Sequence, residues 1–293
     1  MKKVLAALMA LALAATCAAC GDNGGSSSTG GEDSNGSSSA AATDDQSWEK
    51  VASAGTLVLG LDDAFPPMGY KDTETGDIIG FDIDIAKEVC SRLGIELKLQ
   101  PIDWNNKQSE LENGNVDCLW NGFSKTPERD EQFNLSIPYM KNEQIILVKT
   151  DSDYQTLEDL AGKTIGVQAD SSAESALEAE ENKEFKDSLG EIVKIEDYAM
   201  AVLEIQNGTI DAISIDEVVA RFYLNNDPDA YRILSDSDGN ALSLATEDYV
   251  IGFRKSDNAL KEKVEEALRE MSSDGTMKTI SEEWFGEDVT TVE

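Results

Sequence analysis

Two stretches of this chain repeat one local pattern, and that repeat constrains the fold more than any other feature. Leu111-Glu112-Asn113-Gly114-Asn115-Val116-Asp117-Cys118 and Ile205-Gln206-Asn207-Gly208-Thr209-Ile210-Asp211-Ala212 each read as a helix end, an Asn-Gly turn and a buried strand. The echo predicts two similar α/β halves. In open α/β sheets the ligand crevice lies outside the carboxyl ends of the strands. The first copy runs into Trp120, Asn121 and Gly122, and the second into Ser214, Ile215, Asp216 and Glu217. Two lobes with matching strand ends would set these loops face to face. The length, 293 residues, suits roughly two domains at about 150 residues each.

The stretch that follows the first copy carries a helix start. Thr126 can cap a helix whose first residue is Pro127, where a missing N–H costs nothing. Arg129 then falls in the first turn, beside the positive helix end, an unfavourable place for a cation. It therefore calls for an anionic partner. One candidate is a protein carboxylate at Glu128, Asp130 or Glu131. The other is a ligand carboxylate held bidentately by the guanidinium fork.

The remaining segments fill in two α/β units. Strands are predicted over 56–61, 96–100, 116–120, 139–149, 164–167 and 249–253, from short apolar runs bounded by Gly, Asn and Asp. The loop Asp62-Asp63-Ala64-Phe65-Pro66-Pro67 follows the first strand and is a site candidate. Residues 69–81 read as a hairpin. Helices are predicted over 82–93, 104–112, 157–161 and 173–180. Ile85, Val89 and Leu93 recur at helical spacing, with Gly94 as the stop. Asp82 and Asp84 read as the cap and first-turn acid of that helix rather than as metal ligands. Ser171 and Ser172 are N-cap candidates whose backbone N–H groups would face an anion or solvent. Leu260, Val264, Leu268 and Met271 form a core stripe, and Met277, Ile280 and Trp284 another.

Composition excludes several function classes. The chain has 24 basic and 58 acidic residues, a net charge of −34, which repels nucleic acid and anionic membrane surfaces. It has no histidine, which removes Ser-His-Asp triads, Cys-His pairs and most zinc sites. The four cysteines do not make a metal site. The run 236–240 fails as a calcium loop, because its Gly is misplaced and no Glu closes it. No cofactor is implied.

The N-terminus reads as an export signal. Lys2 and Lys3 precede an apolar run over 4–15 that is too short to span a bilayer. Ala18-Ala19-Cys20-Gly21 resembles a bacterial lipoprotein cleavage site, with Cys20 as the lipidated residue and Cys17 the competing one. Several acyl chains on one cysteine give stable anchoring. Residues 21–47, rich in Gly, Ser, Asp and Asn, read as a flexible tether. Cys90 and Cys118 either form a disulfide, which export permits, or pack as buried thiols.

Taken together, segments 62–70, 80–94, 117–129, 166–173, 210–218 and 252–286 resemble the bacterial extracellular solute-binding proteins of polar amino-acid ABC importers, in the same order along the chain. The resemblance implies two α/β lobes joined by two strand crossovers, with the ligand between them. Lobe one would be 50–146 plus 244–286, lobe two 149–240, with hinges near Leu147-Val148 and Ser243-Leu244. It implies that Arg129 holds the ligand α-carboxylate, helped by the N–H of Ser124 and, across the cleft, by Ser171 and Ser172. The Gly122 carbonyl and Asp216 would take the α-ammonium. Phe65 would stack on the ligand side chain, Asp62 would face its tip, and Asn121 and Trp120 would border the pocket. Asp170 stands where the family often has a small or hydroxyl residue, and this extra carboxylate disfavours acidic side chains.

Three functions follow as expectations. The first is an exported, lipid-anchored, monomeric receptor that hands a polar or cationic amino acid to an ABC permease. The second is a carboxylate-based dehydratase or lyase on the same scaffold, with Asp62, Asp63 or Asp170 as its acid or base. The third is a ligand-sensing domain, for which no signalling segment follows residue 293.

Overall fold

The computed structural model describes residues 45–293. Helix α1 (Ser47–Ala54) stops at Gly55 in the left-handed region and turns into strand β1 (Thr56–Leu61). Strands β2 (Ala64–Phe65), β3 (Gly69–Lys71) and β4 (Ile78–Ile79) form a small antiparallel sheet of their own. Helix α2 (Phe81–Leu93) ends at Gly94, and β5 (Glu96–Pro101) follows. A 3-10 turn at Trp104–Asn106 leads into α3 (Lys107–Glu112), β6 (Cys118–Ser124), α4 (Pro127–Gln132), β7 (Asn134–Leu135) and β8 (Met140–Lys149).

The second half runs through β9 (Thr164–Gln168), α5 (Ser172–Glu178), α6 (Lys183–Ser188) and β10 (Glu191–Ile195). It continues with α7 (Tyr198–Asn207), β11 (Ala212–Asp216), α8 (Glu217–Asn226) and β12 (Tyr231–Ile233). The chain then returns through β13 (Ser243–Phe253) to α9 (Asn258–Asp274) and α10 (Thr276–Phe285).

The strand order is β10-β9-β11-β8-β13-β6-β1-β5. Strands β5, β1 and β6 are mutually parallel, as are β10, β9 and β11. The long strands β8 and β13 are antiparallel to each other and join the two parallel groups. The first part of β8 pairs with β13, and its last part pairs with β11 and β12. All strands of a parallel group point their carboxyl ends the same way, so each group presents one row of loops as a potential binding edge.

Packing follows the apolar pattern. Leu57, Leu59 and Leu61 of β1 are fully buried, as are Ile85 and Val89 of α2 and Leu260, Val264, Leu268 and Met271 of α9. Burying one such side chain contributes roughly 2 kcal/mol.

The structure corrects several expectations. Asp82 is not a helix cap: Gly80 occupies that position, and Asp82 is fully buried in the first turn. Its Oδ2 accepts the Gly122 N–H at 2.7 Å and the Tyr139 hydroxyl at 2.9 Å. Burial pushes its carboxyl up to about 7. Cys90 and Cys118 are free, buried thiols. The last residues of the expected tether are packed on the domain: α1 starts at Ser47, and Asp45 accepts the Ala259 N–H at 2.7 Å. The expected signal segment 1–20, with Cys20, and the tether through residue 44 lie outside the described residues. Among the described residues no helix is long and apolar enough to cross a membrane.

Candidate functional site

One internal cavity collects the ends of strands from both parallel groups. Its walls are Asp62, Phe65, Trp104, Asn121, Gly122, Arg129, Gln168, Ser171, Ser172 and Asp216. Asp62 follows β1, Asn121 and Gly122 lie near the end of β6, and Gln168 and Asp216 end β9 and β11.

Arg129 is set by its helix. The Thr126 hydroxyl accepts the Arg129 N–H at 3.1 Å and Pro127 starts α4, which fixes the first turn. The guanidinium lies 4.3 Å from the Phe123 ring centroid, a cation–π contact. Nη1 donates to the Ser124 carbonyl at 3.0 Å and Nη2 to the Asp170 carbonyl at 3.4 Å. Among the described residues Arg129 forms no salt bridge, so Glu128, Asp130 and Glu131 are not its partners. Burial lowers its pKa, while Glu247, Asp170 and Asp216 oppose the shift.

Asp216 faces the same cavity from the other parallel group. Its Oδ1 accepts from Asn142 at 2.7 Å, Gln144 at 2.8 Å and the Tyr249 hydroxyl at 2.8 Å. Its Oδ2 accepts from the Tyr198 hydroxyl at 3.3 Å. Burial first, and then the Glu247 carboxylate, push its pKa up to about 7.

Gly122 takes φ +57°, and a Cβ there would lie 2.7 Å from Phe65 Cε1. Only glycine lets the β6 backbone bend past the Phe65 ring. Phe65 in turn packs on Tyr198, with ring centroids 5.7 Å apart. Asp62 Oδ1 accepts the Ala64 N–H at 2.9 Å, and Oδ2 accepts from Gln168 at 2.7 Å. Burial pushes Asp62 up to about 6. Asn121 Oδ1 accepts the Asp62 N–H at 3.0 Å and so ties the two loops together.

Contacts cross between the two strand groups on the Arg129 side as well. Lys107 Nζ donates to the Asp170 carbonyl at 2.9 Å and pairs with its carboxylate. Asp170 holds φ +57°, which is uncommon for a residue with a Cβ. The Ser172 hydroxyl donates to the Ser124 hydroxyl at 3.0 Å.

Two expected residues lie elsewhere. Trp120 does not border the cavity; it is fully buried, with its ring centroid 6.3 Å from that of Tyr139. Strand β6 is buried on both faces, so hydrophobicity could not tell which face met the cavity. Ser124, expected through its N–H, is fully buried and not among the lining residues, and its hydroxyl donates to Glu247 at 2.6 Å. The sequence reading missed Trp104, Gln168, Asn142, Gln144 and Glu247. The available signal was a polar residue inside an otherwise apolar run, as with Gln144 before Ile145.

Known proteins share this architecture. The arginine-binding extracellular protein ArtP of Bacillus subtilis (strain 168) is 32% identical over 233 residues, covering 78% of this chain and 86% of that protein. The crystal structure of an ABC uptake transporter substrate-binding protein from Streptococcus pneumoniae with bound histidine is 38% identical. Its TM-score is 0.78, over 85% of this chain and 99% of that one. The structure of Tv2483 bound to L-arginine is 34% identical with a TM-score of 0.78, over 85% of this chain and 98% of that one. These are two-lobed binding proteins, and the expected fold of two α/β lobes joined by two hinge strands holds. The family model for bacterial extracellular solute-binding proteins, family 3, matches residues 57–287, and the chain belongs to that family.

Proposed function

We propose that this chain is the substrate-binding component of an ABC importer and carries a polar or cationic amino acid to its permease. The observation that carries the reading is the placement of Arg129 and Asp216 in the walls of one pocket, on opposite halves of the sheet. A zwitterion needs one fixed cation and one fixed anion a few ångströms apart. The α-carboxylate goes to Arg129 with the N–H groups at Ser171 and Ser172. The α-ammonium goes to Asp216 and the Gly122 carbonyl. Phe65 covers the side chain and Asp62 meets its tip.

Closure of lobe 50–146 plus 244–286 onto lobe 149–240, hinged near Leu147-Val148 and Ser243-Leu244, assembles both halves. Ligand then shifts an open–closed equilibrium through contacts that only the closed form makes. Asp62 and Asp170 favour a cationic or neutral side chain, in line with the arginine and histidine relatives. Export and anchoring by lipidated Cys20, and action as a monomer, complete the reading. Incorporation of labelled fatty acid that is lost in Cys20→Ala tests the anchor.

The test of the ligand assignment is a calorimetric screen of the twenty amino acids and cystine. Tight, one-to-one binding of a cationic or polar neutral amino acid is the expected result, and glutamate binding tighter than all others contradicts it. The enzyme alternative draws on one observation, the buried Asp62 carboxyl raised to about 6 inside the cavity, a value suited to acid–base work. Turnover of a saturating bound amino acid would favour it, and unchanged ligand supports the receptor.

A further inference from the structure

At the cavity wall two carboxylates share their hydrogen-bond donors. Asp216 ends β11 and Glu247 lies on β13, and they are 2% and 9% exposed. Gln144 Nε2 lies 2.8 Å from Asp216 Oδ1 and 2.9 Å from Glu247 Oε2. Asn142 Nδ2 reaches the same two oxygens at 2.7 and 3.5 Å. The charged and titratable groups facing the pair are Arg129, Tyr198 and Tyr249. Arg129, the only cation of these, bonds to the carbonyls of Ser124 and Asp170 rather than to either carboxylate.

Like charges that share a site cannot both ionise freely. Donors are also short here: the amide oxygens of Asn142 and Gln144 are buried without a partner. A carboxyl proton would supply a donor in this region. We infer that Asp216, beside the Glu247 carboxylate, holds a proton in the ligand-free chain, and that a ligand ammonium docking on Asp216 expels that proton to solvent. The second half rests on the amino-acid reading above, whereas the first is a property of the chain alone.

The step balances. Asp216 goes from neutral to singly charged, the proton passes to water or buffer, and the arriving ammonium supplies the positive charge the proton had provided. Burial together with Glu247 already pushes Asp216 towards its protonated form. Glu247 is then a positioning residue: it holds the proton on Asp216 and, through Ser124 and Ser172, touches the carboxylate end of the same cavity.

The test follows side-chain carboxyl carbons by NMR on the full chain from acid to mildly alkaline pH, without ligand. The expected result is a carboxyl signal titrating near neutrality that moves to lower pH in Glu247→Gln and vanishes in Asp216→Asn. Absence of any near-neutral signal sensitive to both changes overturns the proton on Asp216. Calorimetry with L-arginine near pH 6.5, in phosphate and in imidazole, then reads the release. Heats that differ between buffers by about one proton per ligand, and converge in Glu247→Gln, support it. Equal heats in the wild-type protein overturn it. No arginine heat in either buffer, with the Glu247-sensitive signal present, contradicts the choice of ligand and supports the proton on Asp216.

Discussion

Gln168 Nε2 lies 2.7 Å from Asp62 Oδ2, and the two residues come from opposite halves of the sheet. The same nitrogen donates to the Glu196 carbonyl at 3.1 Å. Gln168 thus supplies donors where the side chain of a cationic ligand would supply them. Asp62→Asn should weaken L-arginine by about tenfold or more, because a hydrogen bond to a charged group contributes about 1.5–3 kcal/mol. L-glutamine should lose less. Calorimetry of both ligands on both proteins checks this, and an equal loss for the two would count against Asp62 as the tip contact.

Gly122→Ala should disable the cavity. The new Cβ would sit 2.7 Å from Phe65 Cε1 and 3.2 Å from Tyr249 Cζ, at φ +57°. The Gly122 N–H is anchored on Asp82, so the strand cannot relax away. A stability loss of about 1–3 kcal/mol in thermal melts is expected, with amino-acid binding lost. A variant that melts and binds like the wild type contradicts this packing.

Much of this architecture was legible in the residues. The repeated Asn-Gly turns preceded β6 and β11, and Thr126-Pro127 marked the start of α4. Strand β1 fell on the predicted 56–61. Each of these rests on local chemistry, a turn residue or a cap. Asp82 was misread because a carboxylate after Gly80 looks like a cap from sequence, while its partners Gly122 and Tyr139 lie far along the chain. Trp120 was misplaced because both faces of β6 are buried. Gln144 sits in a strand read as apolar, Glu247 lies ahead of the predicted strand 249–253, and only the pairing of β8 with β13 brings them together.

Stability of the ligand-free protein should fall as pH rises from about 4 towards 7. Asp62, raised to about 6, and Asp82 and Asp216, each raised to about 7, are all shifted mainly by burial. An unfolded Asp titrates near about 3.9. Between these values the folded chain binds more protons than the unfolded one, so the contribution is present at acid pH and is lost through the folded pKa. Lys107 acts separately: burial lowers it to about 8, so stability should recover as pH rises above that value. Melting temperatures across this range check both signs, and Asp82→Asn should flatten the acid branch.

Lys107→Met should speed ligand release. Lys107 bridges to Asp170 across the cleft, beside the Arg129 end of the cavity. The Asp170 side chain is 62% exposed, which keeps the pair weak in water. Affinity for L-arginine should fall by less than about tenfold, carried by the dissociation rate. Stopped-flow kinetics check this, and an unchanged dissociation rate contradicts a latch.

The central claim is that Arg129 and Asp216 together grip the two charges of a free amino acid. Titration calorimetry of L-arginine against the wild-type protein and Arg129→Ala, with melts confirming that both are folded, tests it most directly. Leaving one buried charge unmatched costs about 3–5 kcal/mol, so the variant should lose at least about 10²–10³-fold in affinity. A folded Arg129→Ala protein that binds L-arginine as tightly as the wild type would contradict the account.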